Sequence, residues 1–232
     1  MSYNYGRFRA HHYVLEEFDG PEPGRLAPNL LAGTLDGRRV SLQDFRGRPV
    51  VLETGSVTSP VYAGKVAQMS ELAARYPDVH FLLLYVREAH PGSRVRPHRS
   101  AEDKAACARR AQRELGEWRP ILLDDLDGTM HRRFGELPNM AYVMDARGKV
   151  VYRAKWNDTR EIDTVLRALD AGDRVPHEES TRFVAPPALS LSSFATGGWD
   201  ALLDFMVAFP RLMMGNVLKP RLRPDPTSEC AW

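Results

Sequence analysis

The stretch Thr54-Gly55-Ser56-Val57-Thr58-Ser59-Pro60 carries the residue types that invite chemistry. It runs from an apolar strand pattern over residues 49–53 into a helical pattern from Val61. In open α/β sheets, ligands bind beyond the carboxyl ends of strands, where a helix N-terminus offers free N–H groups and partial positive charge. Ser59 stands in that field. It serves there either as the cap of a helix opening on Pro60, or as a nucleophile or hydrogen-bond donor that needs a general base. Glu88-Ala89-His90 closes the next apolar run, residues 80–86. Strand alternation puts Glu88 and His90 on one face, so the carboxylate can orient an imidazole acting as acid or base near neutral pH. The bland reading is a histidine at a strand end and a glutamate paired with a nearby arginine.

Three other groups invite a reading. The loop Arg94-Val95-Arg96-Pro97-His98-Arg99 is the densest local positive charge; Arg94 and Arg96 suit a carboxylate or phosphate of a substrate, against the alternative of a solvated loop. Asp124-Asp125-Leu126-Asp127-Gly128 lacks the ligand spacing and closing glutamate of a calcium loop, so a turn with a helix cap is expected. The two cysteines, Cys107 and Cys230, have neither the number nor the spacing of a disulfide framework or a zinc cluster, and no metal is expected. Cys107 reads as a packing residue inside a helix, and Cys230 as a thiol near the chain end with no obvious mate.

The elements that must hold these residues follow from periodicity and punctuation. Residues 35–40 read as a hairpin turning at Asp36-Gly37, and residues 61–76 as one helix with an apolar face, stopped by Pro77. Residues 80–86 are apolar on both faces, as in a central parallel strand. Ser100 caps a helix to about Glu117, residues 121–124 form a third strand, and a brief helix covers 129–134. Residues 141–144 and 150–153 flank the turn Asp145-Ala146-Arg147-Gly148 as an antiparallel hairpin. Asp158 caps a helix on Ile162, Val165, Leu166 and Leu169, with Glu161 at its third position. This order gives an α/β fold whose sheet has a mixed edge.

The loop around Ser59, the tripeptide Glu88-Ala89-His90, and Leu137-Pro138 ahead of the hairpin resemble the iodothyronine deiodinase-like branch of the thioredoxin-fold redoxins, over residues 28–169. The resemblance implies a thioredoxin-like fold: a central mixed sheet flanked by helices. It implies selenocysteine or cysteine where this chain has Ser59, and often a second cysteine where it has Val57. It also implies substrate binding and proton supply by Glu88 and His90, and a cis peptide bond at Leu137-Pro138; a small-molecule substrate is expected near Thr58 and Pro138, with Arg94 and Arg96 added by the charge of their loop. The external reductant would be a thiol, with no bound cofactor. A cysteine at this loop would be activated by the helix N-terminus; a serine is not ionised at neutral pH and cannot cycle through sulfenic acid or a disulfide. Three explanations of Ser59 stay open: a serine substituted for cysteine to trap a state, a pocket retained after redox work was abandoned, or non-redox chemistry by Ser59, His90 and Glu88.

The remaining expectations come from composition. With 32 Lys+Arg against 30 Asp+Glu, a net charge of +2 gives no global reason for nucleic-acid binding. The 232 residues contain no apolar run of about 20 to span a bilayer and no secretory pattern at the start, so a cytoplasmic protein is expected. The chain divides into an aromatic N-terminal arm (1–28), the main domain (29–172) and a C-terminal extension (173–232). The extension holds an apolar helical stretch over 199–218, expected to kink or split at Pro210 and to bury its large side chains against the domain, as a lid, in a homodimer or, ranked last, on a membrane surface.

Overall fold

In the computed structural model, residues 3–14, 18–173, 175, 178–180 and 195–213 are described. Cys230, the Ser-rich stretch at 190–193 and the end of the apolar segment beyond Met213 lie outside the described residues.

Among the described residues eight strands form one mixed sheet: β1 (Leu31–Thr34), β2 (Arg39–Ser41), β3 (Val50–Gly55), β4 (His80–Tyr85), β5 (Ile121–Leu123), β6 (Ala141–Met144), β7 (Val150–Ala154) and β8 (Glu178–Ser180). Their spatial order is β2-β1-β5-β4-β3-β6-β7-β8. β3, β4 and β5 run parallel, and β6 turns antiparallel on β3. The expected hairpins are present: β1 pairs antiparallel with β2, and β6 with β7. Gly37 and Gly148 close them at φ +85 and +81, conformations open to glycine at little cost.

The central strands are buried on both sides, so alternate residues serve different cores. Leu52, Leu82 and Leu84 join Met130 and Phe134, the first from α4 (Thr129–Arg133). Val51 and Phe81 face α2 (Val66–Arg75) and α5 (Thr159–Asp170), through Met69, Leu72, Ile162 and Leu166. Leu83 and Tyr85 meet Ala108 and Ala111 of α3 (Ala101–Leu115).

One local expectation is corrected: the helix over 61–76 is broken into α1 (Pro60–Ala63) and α2, because Gly64 caps the first turn and Lys65 begins a new helix. Asp158 caps α5 with Glu161 at its third position, as expected, and the Glu161 carboxylate accepts from Tyr152 Oη at 2.5 Å. The last helix among the described residues, α6 (Trp199–Met213), runs through Pro210, so it is not split there.

Helix α6 packs on the arm with Ala208 and Phe205, beside Tyr5, Phe8 and Tyr13. Its start is tied to the loop after β4, where Ser93 donates to Asp200 and Arg94 N–H donates to Gly197 O. The expected burial of its large side chains holds only in part: Leu203 and Val207 are 64% and 84% exposed. Small residues, Ala201 and Ala208, make the buried side.

Candidate active site

Thr58 is the hub of the loop after β3. Its N–H and its hydroxyl both donate to Glu88 Oε2, at 3.1 and 2.6 Å, and its Oγ1 accepts from His90 N–H at 3.1 Å. Ser56 Oγ accepts from Ala89 N–H at 3.1 Å. Two loops at the carboxyl ends of the parallel strands β3 and β4 are thereby stitched together. Ser59 caps α1, its Oγ accepting from Tyr62 N–H at 3.4 Å ahead of Pro60, and it is 1% exposed. The cap expected from sequence is thus present, in a buried place.

Glu88 contacts His98, not the histidine two residues away. Its Oε1 takes the Tyr85 hydroxyl at 2.7 Å and His98 Nε2 at 3.0 Å, and both side chains of the Glu88–His98 pair are fully buried. Burial alone would raise the carboxyl pKa; hydrogen bonds from His98, Thr58 and Tyr85 outweigh it and hold the group below its ordinary range. The expectation that Glu88 orients the His90 ring is therefore corrected. The chain leaves β4 at Tyr85, so strand alternation no longer governs residues 88–90.

His90 is enclosed by aromatic rings, Phe8 of the arm at 4.4 Å and Phe205 of α6 at 5.4 Å between centroids. Burial pushes its pKa down to about 4, so the ring is neutral at pH 7. Tyr5 of the arm donates to Ala89 O at 2.8 Å, fixing the same turn.

The turn at Leu137-Pro138 lies against the end of β3, where Leu137 O accepts from Thr54 Oγ1 at 3.4 Å and meets His131 Nε2 at 2.8 Å. Its peptide bond is trans, against expectation, as are all others among the described residues. With the Leu137 carbonyl held by two partners in this geometry, the modest trans preference of an X–Pro bond is unopposed. Arg94 and Arg96 are exposed, whereas Val95 and His98 of the same loop point inward. Asp124 and Asp125 cap α4, accepting from Met130, His131 and Thr129 N–H groups, as the turn reading expected.

Sequence reasoning missed three features. His98 was hidden in an arginine-rich loop; the buried Val95 and the Ser100 cap flanking it are the signals of a loop folded against the domain. Glu53, in an otherwise apolar strand, is fully buried with Arg119 Nη1 at 2.7 Å, while Asn139 and Asn157 donate to its other oxygen. Arg119 also holds Glu117, which accepts from Tyr62 Oη at 2.9 Å. Arg87 is wrapped by Tyr3, Tyr5 and Tyr13, 4.8–5.1 Å from their ring centroids, and donates to His12 O and Glu136. A cavity of about 280 Å³ opens beside it, lined by Tyr3, His12, Arg132 and Leu137 among others; Ser59 and His90 do not line it.

The iodothyronine deiodinase family profile matches residues 1–169. The chain is 29% identical over 143 residues to the type I iodothyronine deiodinase of Xenopus laevis, covering 57% of this chain and 56% of that protein. It is 31% identical over 156 residues to the thyroxine 5-deiodinase of Gallus gallus, covering 62% and 60%. The chain thus spans somewhat over half the length of these relatives. Among solved structures, an uncharacterized conserved protein from Geobacillus kaustophilus aligns with TM-score 0.58 and 21% identity, over 71% of this chain and 90% of that one. The thioredoxin domain of a thiol-disulfide oxidoreductase from Bacteroides vulgatus aligns with TM-score 0.51 and 16% identity, over 63% and 96%. The fold is thioredoxin-like. No helix among the described residues is long and apolar enough to cross a membrane.

Proposed function

This chain belongs to the iodothyronine deiodinase family, and on that premise we propose that the loop after β3 is a deiodinase-like redoxin site in which Ser59 occupies the position of the reactive sulfur or selenium. As a serine it binds a small-molecule substrate without thiol turnover. One observation carries the reading: Thr58, adjacent to Ser59, is bonded at once to Glu88 and to the His90 backbone, so the loop is held as an attacking residue at position 59 would need. Ser59 itself is bonded as a helix cap, and the Glu88 carboxylate is committed to Thr58, Tyr85 and His98, which disfavours a Ser59–His90–Glu88 acyl-transfer site.

In the proposed arrangement the neutral His90 ring accepts the proton, Thr58 and Pro138 flank the substrate, and Arg94 and Arg96 meet its anionic end from outside. Entry requires the arm or α6 to move, since Phe8 and Phe205 cover His90. An external thiol would return a sulfur at position 59 to its reduced state, and the site is read as cytoplasmic.

The test is Ser59→Cys. The variant is expected to gain a thiol with lowered pKa and dithiol-dependent turnover of a peroxide, disulfide or aryl iodide that the serine protein lacks. An inert variant with an unreactive, accessible thiol overturns the reading.

The exposed apolar residues Leu203, Met206 and Val207 of α6 also fit burial against a second copy of the chain. Removing residues from 190 onward is expected to lower the oligomeric mass measured by light scattering; an unchanged species excludes that role.

A further inference from the structure

Behind the loop that carries Ser59, three side chains of different chemistry converge. Glu88 comes from the turn after β4, His98 from the loop two residues before the Ser100 cap, and Cys107 from the second turn of α3. One ligand atom from each, a carboxylate oxygen, an imidazole nitrogen and the sulfur, lies within 4.8 Å of the others. Glu88 and His98 are fully buried in their side chains, and Cys107 is half-buried at the edge of the cluster formed by Val57, Tyr85 and Ala108. Cys107 neighbours the inward-facing Lys104, Ala108 and Ala111, so the helix aims it at the sheet.

We propose that Glu88, His98 and Cys107 form a binding site for a single zinc ion, with a fourth position left to water or to Tyr85.

Thiolate, imidazole and carboxylate together are a zinc ligand set: too soft for calcium or magnesium and matched to a borderline d¹⁰ cation. Zinc bonds of 2.0–2.3 Å in tetrahedral geometry place ligand atoms about 3.3–3.8 Å apart. Glu88 Oε1 and His98 Nε2 are already 3.0 Å apart, so side-chain adjustments of about an ångström seat the ion. The geometry also leaves an unsettled group in the core. His98 Nδ1 is buried without a hydrogen-bond partner among the described residues, across the ring from the Nε2 that faces Glu88, so it could meet a water while Nε2 takes the ion. Binding M²⁺ displaces the Sγ proton to solvent as the metal–sulfur bond forms, with no change of oxidation state.

The site is independent of what stands at position 59. Its consequence for the pocket is mechanical: Glu88 Oε2 holds Thr58, so an ion on the same carboxylate fixes the loop beside Ser59.

The experiment uses the full chain, stripped with chelator and titrated with Co²⁺ and then Zn²⁺. One equivalent of Co²⁺ is expected to give a near-ultraviolet thiolate-to-cobalt charge-transfer band and tetrahedral d–d bands, both bleached by Zn²⁺, with zinc raising Tm. In Cys107→Ser the charge-transfer band disappears and zinc affinity falls by at least the 10–100-fold, approximately, that loss of an outer-shell partner already costs. His98→Gln weakens binding while keeping part of the sulfur band, so the proposal survives misfolding of either single variant. Cys230→Ser leaves the spectrum unchanged. Binding without a sulfur band, a band that persists in Cys107→Ser, or a band lost in Cys230→Ser overturns the assignment.

Discussion

The Glu88 carboxylate and the His98 imidazole meet at 3.0 Å with both side chains fully excluded from solvent, although ten residues and an arginine-rich loop separate them. The carboxylate that receives His98 also receives both donors of Thr58.

Removing His98 leaves Glu88 in a dry environment with a lone-pair site unmatched. His98→Ala is expected to cost about 2–4 kcal/mol, from the lost partner and the cavity together. Urea unfolding measures it; a loss below about 0.5 kcal/mol, the range of an ordinary surface substitution, contradicts the pairing.

Arg119 neutralises Glu53 and Glu117 in the same interior. Arg119→Met strands two buried carboxylates and is expected to cost about 3–5 kcal/mol. The replacement of all three by apolar residues is expected to recover most of that loss, which separates an uncompensated charge from a packing defect. Equal destabilisation by the single and triple variants would argue for packing alone.

His90 introduces a pH dependence. The unfolded chain takes up its proton near pH 6.5, whereas the folded ring, desolvated by burial, does so only at about 4. Between those values the unfolded state binds more protons, so stability falls as pH drops through the window, by at most about 3 kcal/mol, and the contribution levels off below it. His90→Gln should flatten this part of the profile relative to the parent. Parallel profiles for the two proteins would mean that His90 is solvated in the fold.

Phe8 and Phe205 shield His90. Diethylpyrocarbonate at pH 7 should leave His90 unmodified in the parent protein and label it in a Phe8→Ala, Phe205→Ala double variant, read by peptide mass spectrometry. Equal labelling in both proteins would show that the arm and α6 do not close the site.

Gly55 lies where the loop leaves β3, and a Cβ there would come within 2.5 Å of the Tyr62 ring. Tyr62 is 0% exposed and bonded to Glu117, so it has little room to yield. Gly55→Ala is expected to cost about 1–3 kcal/mol, the usual penalty for overpacking. A Tm within a degree of the parent would mean that the α1 turn is plastic.

Much of this was legible from residue order. The caps Ser59, Ser100 and Asp158, the Asp-Gly turn at 36–37, the doubly apolar strand 80–86 and the Asp124–Asp125 cap each depend on a few neighbouring residues, so local pattern suffices. The break at Gly64, the continuation of α6 through Pro210 and the trans bond at Leu137-Pro138 were not legible. In each, a tertiary neighbour or a small local preference tips two conformations of similar cost.

What the sequence by itself determined is the order of most elements, and a serine hydroxyl at position 59 where the first parallel strand pattern passes into a helix. Periodicity and punctuation act over one or two turns and need no partner. Only the tertiary structure decided that Glu88 belongs to His98, that Glu53 belongs to Arg119, and that His90 lies beneath Phe8 and Phe205. Those pairings join positions up to 115 residues apart, and desolvation makes each buried polar group take the partner that the packed elements bring within reach.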